Sequence, residues 1–488
     1  MTMSKKDIPY LIAAIGLAVI AAVAVGNPDN PVGLYSLLGL IGIVVVMAIL
    51  LNPGLGANVL VISVFANISS KLSDYGLPGI IKPLVVVVFC AIIIRNYFAG
   101  QIPVDRPKTS RIELFLIVYF LAVAASFLVA ANKDRALESI LDFAKDIVII
   151  YCVLFALRRP EIWKQTIWVI IITTAILCLF GVYQNITGNY TQTFFGLADV
   201  KFDPDGSMRL GGPINEPNMW AQVLTAVVPL VIFRIIHERR KLTKLFSVLI
   251  LVVILFNLLN TYSRGGYLAL SVAVILTLFV FEKRFSPMIA FAVLGLIILL
   301  LPFLPASYRD RFSTLQSLNP TSESGIYQDS SFIGRTSETR AGLMMFATHP
   351  LLGVGVANYP NNYQKYAQLI GLEFRTEERE AHSLYIQVLS QTGIFGIVPF
   401  LGIIFSLLTG LSKIKKDLKN SPYDADWSPH INAIMVSLIT YLFAAFFLHG
   451  AYIRYFWILV AMGMTAIQLM DELLIPYKQP FRQRLSFE

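Results

Sequence analysis

Long unbroken apolar runs constrain the fold of this chain more than any other feature. Each covers roughly 16–22 residues, enough for a helix to cross about 30 Å of hydrocarbon. Membrane barrels instead alternate apolar and polar residues along their strands, so these runs argue against that architecture. Only 14% of the 488 residues are charged, against about a quarter in soluble domains. The sequence therefore predicts an all-α polytopic membrane protein.

We expect about 12–14 transmembrane helices. The first run is interpreted as a span and not a signal peptide, because no clear cleavage site follows it. The third run is short and gives the weakest prediction. The fourteen predicted spans lie near residues 8–26, 32–51, 57–70, 80–97, 112–131, 136–157, 165–186, 217–236, 245–262, 266–281, 287–304, 383–411, 430–449 and 452–470.

Lysine and arginine gather in alternate loops, and with this set of spans all the basic loops fall on one side. Basic loops face the cytoplasm, so both termini are expected there. The net charge of +9 is then explained by the orientation of the chain in the membrane and by contact with anionic lipid. No nucleic-acid partner is expected.

Two long loops fall on the opposite face, at residues 187–216 and 305–382. The second has about 80 residues, which is typical of a loop with its own structure or function. The sequence of this loop predicts a short helix at 334–350, ending near Pro350, followed by Gly/Asn/Pro-rich turns. The predicted units are an N-terminal bundle (1–160), central helices (161–304), the large loop (305–382) and the C-terminal helices with a tail (383–488).

Charged residues inside an apolar run are costly and therefore informative. Glu138, Asp142, Lys145 and Asp146 follow helical spacing on one face of the sixth span, and Asp142 can pair with Lys145. They either line a functional cavity or lock two helices together, and the sequence leaves both interpretations open.

A second polar cluster lies at the mouth of the eighth span, in MRLGGPINEPNMWAQ. Asn215, Glu216 and Asn218 surround Pro217, a residue suited to the first turn of a helix. Backbone N–H groups at a helix start, with Arg209 nearby, predict an anion site. Capping of the helix by Asn215 is also expected.

Two further polar residues reach the same membrane face. Arg264 occupies a tight turn in NTYSRGGYLAL, where the following glycines would let a ligand approach the backbone closely. His382 stands where the large loop enters an apolar helix, and Glu380 is placed to orient or tune its ring. Snorkelling of Arg264 and an interfacial role for His382 are the simpler alternatives.

Together these residues suit one kind of chemistry. Arginines bind phosphate oxygens and stabilise a departing diphosphate. A histidine near neutral pKa can take the proton of an attacking hydroxyl. With an apolar cavity for the lipid tail, they predict a lipid diphosphate substrate attacked at the carbon that bears the diphosphate.

Four motifs, in order, resemble the O-antigen ligase and O-antigen polymerase superfamily: MRLGGPINEPNMWAQ, TYSRGG, RTSETRAGLMMFATHPLLGVGVANY and EAHSLYIQVLSQTGIFG. The resemblance covers roughly residues 170–411. It implies an inverting, metal-independent glycosyltransferase of the bacterial inner membrane, without cofactors, whose active site faces the periplasm. The donor would be an undecaprenyl-diphosphate-linked glycan, and the acceptor a hydroxyl of lipid A core or another glycan.

By the same resemblance, Arg209 and Arg264 would bind the diphosphate and His382 would activate the acceptor. Arg340, and less strongly Arg335, match a further arginine of the loop. About fourteen spans exceed the roughly twelve typical of ligases, which leaves ligase and polymerase both open. A transporter or flippase for lipid-linked oligosaccharide is the alternative from another class, although no paired halves are visible.

Two other features predict no site. Asp203 and Asp205 in FDPDG are interpreted as a turn in preference to metal ligands. Cys90, Cys152 and Cys178 lie in apolar runs without metal-ligand spacing and are expected to be small hydrophobic side chains.

Overall fold

The computed structural model describes most of the chain: residues 42–98, 110–202, 208–281, 330–371, 378–419, 421–448, 450 and 454–478. The spans predicted at 8–26 and 287–304, most of that at 32–51, and the FDPDG turn lie outside these residues. Helices dominate the described chain, and the predicted all-α membrane class is confirmed.

The helices begin and end close to the predicted limits. A 3₁₀ turn, Ser126–Val129, extends the helix Ser110–Ala125, and a π segment, Leu276–Phe281, extends the helix Arg264–Ile275. The helices are α1 (Gly42–Leu51), α2 (Pro53–Phe65), α3 (Ile68–Asp74), α4 (Ile81–Phe98), α5 (Ser110–Ala125), α6 (Lys133–Ala156), α7 (Pro160–Thr187), α8 (Pro217–His237), α9 (Lys241–Leu259), α10 (Arg264–Ile275), α11 (Ser330–Thr348), α12 (Tyr359–Leu369), α13 (Leu384–Leu418), α14 (Asp424–Ala444) and α15 (Arg454–Lys478).

Six of the described helices are long and apolar enough to cross a membrane. The number becomes seven if α2 and α3, which meet at 57°, form one broken span. Helix α6 carries too many charges to qualify by composition, yet it coincides with the predicted sixth span. Each predicted span inside the described residues falls on a helix.

The predicted long loop 187–216 contains a hairpin that the sequence did not predict. Strand β1 (Asp199–Phe202) pairs antiparallel with β2 (Met208–Gly212). The hairpin leads directly into α8, which packs against α9, α10 and α14. We call the end of the bundle that carries Pro217 the loop end, and the opposite end, at His237, the basic end.

Three of the four charged residues singled out on α6 form pairs. Asp146 is 2% exposed, and its Oδ1 lies 2.8 Å from Nε of Arg454 on α15. Lys145 contacts Asp142 as predicted. Because none of the predicted acidic and basic residues of α6 lines the loop-end cavity described below, as far as the described chain extends, the lock between helices is the interpretation that fits.

Helix α13 is broken at Gly393, and the large loop fills the break. Gly393 has φ 62° and ψ −157°, a conformation that glycine tolerates best. The amide of Ile394 donates to the carbonyl of Pro350 (2.8 Å), and that of Val354 donates to Ser390 (2.8 Å). The loop therefore supplies the hydrogen bonds that the broken helix lacks.

The same loop is anchored to the ends of α5 and α6. The amide of Asn132 donates to Oδ1 of Asn358 at 2.6 Å, and Nδ2 of Asn358 donates back to the Asn132 carbonyl at 3.1 Å. The amide of Val356 donates to Oγ of Ser126 at 3.0 Å. These contacts hold the base of the loop, from which α11 and the segment before α13 extend.

Candidate functional site

A cavity of about 380 Å³ opens at the loop end of the bundle. Its walls come from the hairpin, the start of α8, the start of α11 and the segment before α13. The lining residues are Lys201, Arg209, Ile214, Glu216, Asn218, Met219, Gly334, Arg335, Glu338, Arg379, His382 and Leu448. Four basic residues thus face two acidic residues and one histidine, which favours an anionic ligand.

Arg209 is held rigidly in this wall. It is 9% exposed, its Nε–H donates to the carbonyl of Thr261 (2.9 Å), and Nη2 donates to Oδ1 of Asn218 (3.0 Å). The amide of Leu210 also donates to the Asn260 carbonyl at 3.0 Å. Strand β2 is therefore fixed against the turn before α10, which presets the direction of the guanidinium.

Arg264 is the first residue of α10 and is half-buried. Ser263 caps this helix by accepting from the amide of Gly266. A Cβ on Gly266 would lie 2.8 Å from Cβ of Ala221, so this glycine permits the close approach of α8. The cavity lining of the described chain does not include Arg264, although the neighbouring Thr261 binds Arg209 directly.

The residues before α8 are organised around the basic side chains. Glu216 is the N-cap position of α8, and no side chain caps the helix there; the expected capping by Asn215 is therefore wrong. The reason is geometric, because Asn215 has φ 58° and belongs to the preceding turn. Oε2 of Glu216 lies 2.9 Å from Nζ of Lys201, and Nδ2 of Asn218 donates to Oε1 of Glu216 at 3.2 Å.

His382 contacts a carboxylate that no sequence motif predicted. Its Nδ1 lies 2.8 Å from Oε2 of Glu338 and 3.1 Å from the carbonyl oxygen of Glu380. Both oxygens are acceptors, so Nδ1 carries the hydrogen and the neutral ring has its lone pair on Nε2. Glu380, expected to orient the ring, does so through its backbone.

The backbone around His382 is constrained. His382 itself has φ 42°, an uncommon left-handed conformation that histidine, asparagine and aspartate adopt more readily than most residues. On one side, Glu378 pairs with Arg135 of α6 at 2.8 Å. On the other, the amide of Leu384 donates to the Ala445 carbonyl at 2.9 Å. The ring position is thus fixed from two neighbouring helices.

The surroundings of His382 favour its protonated form. Burial lowers the pKa of His382, but the hydrogen bond and the charge of Glu338, with the Glu380 carbonyl, more than offset this, and the net effect raises the pKa. Burial raises the pKa of Glu380 to about 7, against the attraction of Arg135 and His382. The pair of His382 and Glu338 is the arrangement of a general base and the carboxylate that orients it.

Glu338 lies on α11 and is 1% exposed. Besides His382 it faces Arg379, whose Nη1 lies 3.6 Å from Oε1. Only its position one turn after Arg335, on the same helical face, could have indicated it from sequence. A single glutamate in RTSETRAG is otherwise typical of a solvated helix surface.

The two arginines expected in this helix differ in place. Arg335 lines the cavity beside Glu338, whereas Arg340 is exposed and lies outside the lining of the described chain. Five residues along a helix separate them by about 140° of rotation, so they cannot share a face.

Among the described residues, no group of three or more histidine, cysteine, aspartate or glutamate side chains is arranged to hold a metal ion. Cys152 and Cys178 are buried and free, and Cys90 is free and exposed on α4.

Comparison with protein families gives one match. Residues 249–401 match the family described as O-antigen ligase, a stretch that contains Arg264, Arg335, Glu338 and His382. The match confirms the resemblance to the O-antigen ligase and polymerase superfamily. No curated protein matches the chain.

Proposed function

Because residues 249–401 match the O-antigen ligase family, we propose that the protein is a membrane glycosyltransferase of ligase or polymerase type. It takes a glycan from an undecaprenyl-diphosphate-linked donor and transfers it to a hydroxyl of lipid A core or of another glycan. The loop end faces the periplasm of a bacterial inner membrane. The reaction inverts the anomeric carbon and needs no metal ion.

The donor diphosphate binds among the basic residues of the loop-end cavity. Arg209 and Arg335 provide planar donor groups matched to phosphate oxygens, and Lys201 and Arg379 add charge. Glu216 and Asn218 act through these residues: Glu216 contacts Lys201 and Asn218 accepts from Arg209, whereas a carboxylate would itself repel phosphate. Arg264 lies next to the carbonyl that fixes Arg209 and supports the same subsite from the start of α10.

His382 takes the acceptor proton. Nε2 removes the hydrogen as the acceptor oxygen forms a bond to the anomeric carbon from the side opposite the diphosphate. The bond between that carbon and the diphosphate oxygen breaks, and its electron pair leaves with undecaprenyl diphosphate. The basic residues stabilise the charge that develops on the leaving group, and Glu338 stabilises the imidazolium that forms.

One observation carries the proposal: a histidine with its Nδ1 against a buried carboxylate shares a cavity with four basic residues. A single bound donor can therefore contact the basic residues with its diphosphate while its anomeric carbon faces the base. Apolar Ile214, Met219 and Leu448 complete the walls, which suits the lipid or the sugar faces of the donor.

The broken helix α13 favours a second candidate, a transporter or a flippase, since transporters bind their cargo at unwound helices. In this protein, the loop backbone at Pro350 and Val354 occupies the break and satisfies its hydrogen bonds. The break therefore offers few carbonyls to a transported ion, and the enzyme remains the better supported proposal.

The function is tested by mixing purified protein with an undecaprenyl-diphosphate-linked oligosaccharide and candidate acceptors, with and without EDTA. We expect acceptor-dependent release of undecaprenyl diphosphate, measured by mass spectrometry, that persists in EDTA. The productive acceptor distinguishes ligase from polymerase. No release with any acceptor, together with movement of labelled donor across liposomes, would replace the enzyme by a flippase.

Two arginines of α11 provide a matched test of the donor subsite. We expect Arg335→Gln to weaken binding of the diphosphate-linked donor by roughly tenfold to a hundredfold, as loss of a charge-assisted hydrogen bond does. Arg340→Gln removes the same charge from the same helix outside the cavity, and we expect donor affinity to be nearly unchanged. Equal effects of the two substitutions, measured by donor titration, would exclude Arg335 from the subsite.

A further inference from the structure

A second cavity lies at the basic end of the bundle, with a volume of about 600 Å³. It is formed where α8 and α13 end and α14 begins. Helix α8 separates it from the loop-end cavity by its full length of 21 residues, or about 30 Å. The two cavities are therefore independent, and the second plays no part in the proposed glycan transfer.

The side chains around this cavity leave an excess of positive charge. His237, Arg239, Lys415 and Lys419 line it together with the acidic Glu238 and Asp424. Both acidic groups are engaged within the protein. Glu238 lies 2.8 Å from Nη2 of Arg234 and accepts from the amide of Arg240 at 3.0 Å.

Asp424 likewise accepts the hydroxyl of Ser428. The basic residues come from the ends of two different helices, so they approach the cavity from two sides. Such an arrangement favours an anion held between them.

Asn432 gives an independent sign of a ligand. It lines the cavity on α14, is 5% exposed, and its Oδ1 has no hydrogen-bond partner in the part of the chain that the structure describes. A buried acceptor without a donor costs free energy. A ligand that carries a hydroxyl or ammonium group beside its anionic group would satisfy it.

The cavity adjoins a recess of about 90 Å³, where Ile167, Leu230, Phe233 and Ala433 form an apolar wall and Arg234, Asp426 and His430 complete the lining. The recess shares His237, Ala425 and Pro429 with the larger cavity. A polar, cationic chamber thus joins a narrower recess with one apolar wall at the end of the membrane-spanning helices. A soluble phosphate has no apolar group to place against this wall, whereas a phospholipid has.

We propose that this cavity is a binding site for the phosphate head group of an anionic membrane lipid. The phosphate lies among Arg239, Lys415 and Lys419, a head-group hydroxyl or ammonium donates to Oδ1 of Asn432, and the start of an acyl chain enters the recess. Basic residues next to spanning helices attract anionic lipid in general, but here they line an open cavity together with a buried acceptor, Oδ1 of Asn432.

Native mass spectrometry of the delipidated full-length protein tests the site. Phosphatidylglycerol is titrated against phosphatidylcholine, whose head group lacks both the net charge and the donor. We expect one phosphatidylglycerol to bind preferentially to the native protein. The variant Arg239→Gln/Lys419→Gln should bind it roughly a hundredfold more weakly, since two charge-assisted contacts to the phosphate are lost.

The matched control is Arg240→Gln/Lys416→Gln, which removes two exposed charges from the same segments outside the cavity lining. It should retain the native affinity. Equal retention by both variants, or equal binding of the two lipids by the native protein, would overturn the proposal. Inorganic phosphate that stabilises the protein against heat as much as phosphatidylglycerol does would keep the anion site but identify a soluble source of the phosphate.

Discussion

We expect His382→Asn to reduce glycan transfer about a thousandfold, within the range that a general base contributes, while donor affinity stays within about twofold. Asparagine adopts the left-handed backbone conformation of His382 readily, so the segment before α13 keeps its course. Only the imidazole that takes the acceptor proton is lost. Undecaprenyl diphosphate release under saturating donor, followed by mass spectrometry, measures the effect.

His349 provides the control, because it belongs to the same large loop and its Nδ1 contacts Tyr366 (3.1 Å) away from the cavity. His349→Asn should leave transfer close to the native rate. A His382→Asn protein that is folded, binds donor and still transfers glycan at the native rate would remove His382 from the mechanism.

Glu338→Gln should lower the transfer rate by roughly a hundredfold or more, as substitution of the carboxylate that orients a catalytic histidine does. It should also move the acidic limb of the pH–rate profile to lower pH. Glu338 favours the charged imidazolium and raises the pKa of His382; without this charge the pKa falls, so the ring stays neutral, and able to accept a proton, at lower pH. The measurement is kcat/KM of transfer as a function of pH.

Glu380→Gln is the matched comparison. Glu380 meets the ring through its carbonyl oxygen, which the substitution preserves, so we expect the acidic limb to stay where it is. A limb that moves in Glu380→Gln but not in Glu338→Gln would give the orienting role to Glu380, the residue expected from the sequence.

Much of the architecture follows from local sequence. The apolar runs predict the described spans because a helix satisfies the backbone hydrogen bonds of such a run within itself in lipid. Pro217 predicts the first turn of α8, and Pro350 predicts the end of α11, which stops at Thr348. These predictions hold because each depends on residues close together in the chain.

The missed features all depend on distant contacts. Glu338 reaches His382 only after the loop has folded back across 44 residues of sequence, and no local pattern separates a buried glutamate from an exposed one. The hairpin β1–β2 forms against the turn at Asn260, which supplies the carbonyl for Leu210. Asn215 does not cap α8, because it belongs to the preceding turn and has a positive φ.

The docking of the loop in the break at Gly393 has a consequence for engineering. A Cβ at Gly393 would lie 2.3 Å from the carbonyl oxygen of Leu351, and one at Gly353 would lie 2.4 Å from the backbone of Gln391. Neither segment can change its backbone unless the other changes with it. The large loop and the broken turn of α13 must therefore be exchanged together. A chimera that carries the loop of another protein, made to change acceptor specificity, also needs the matching turn of α13 from that protein.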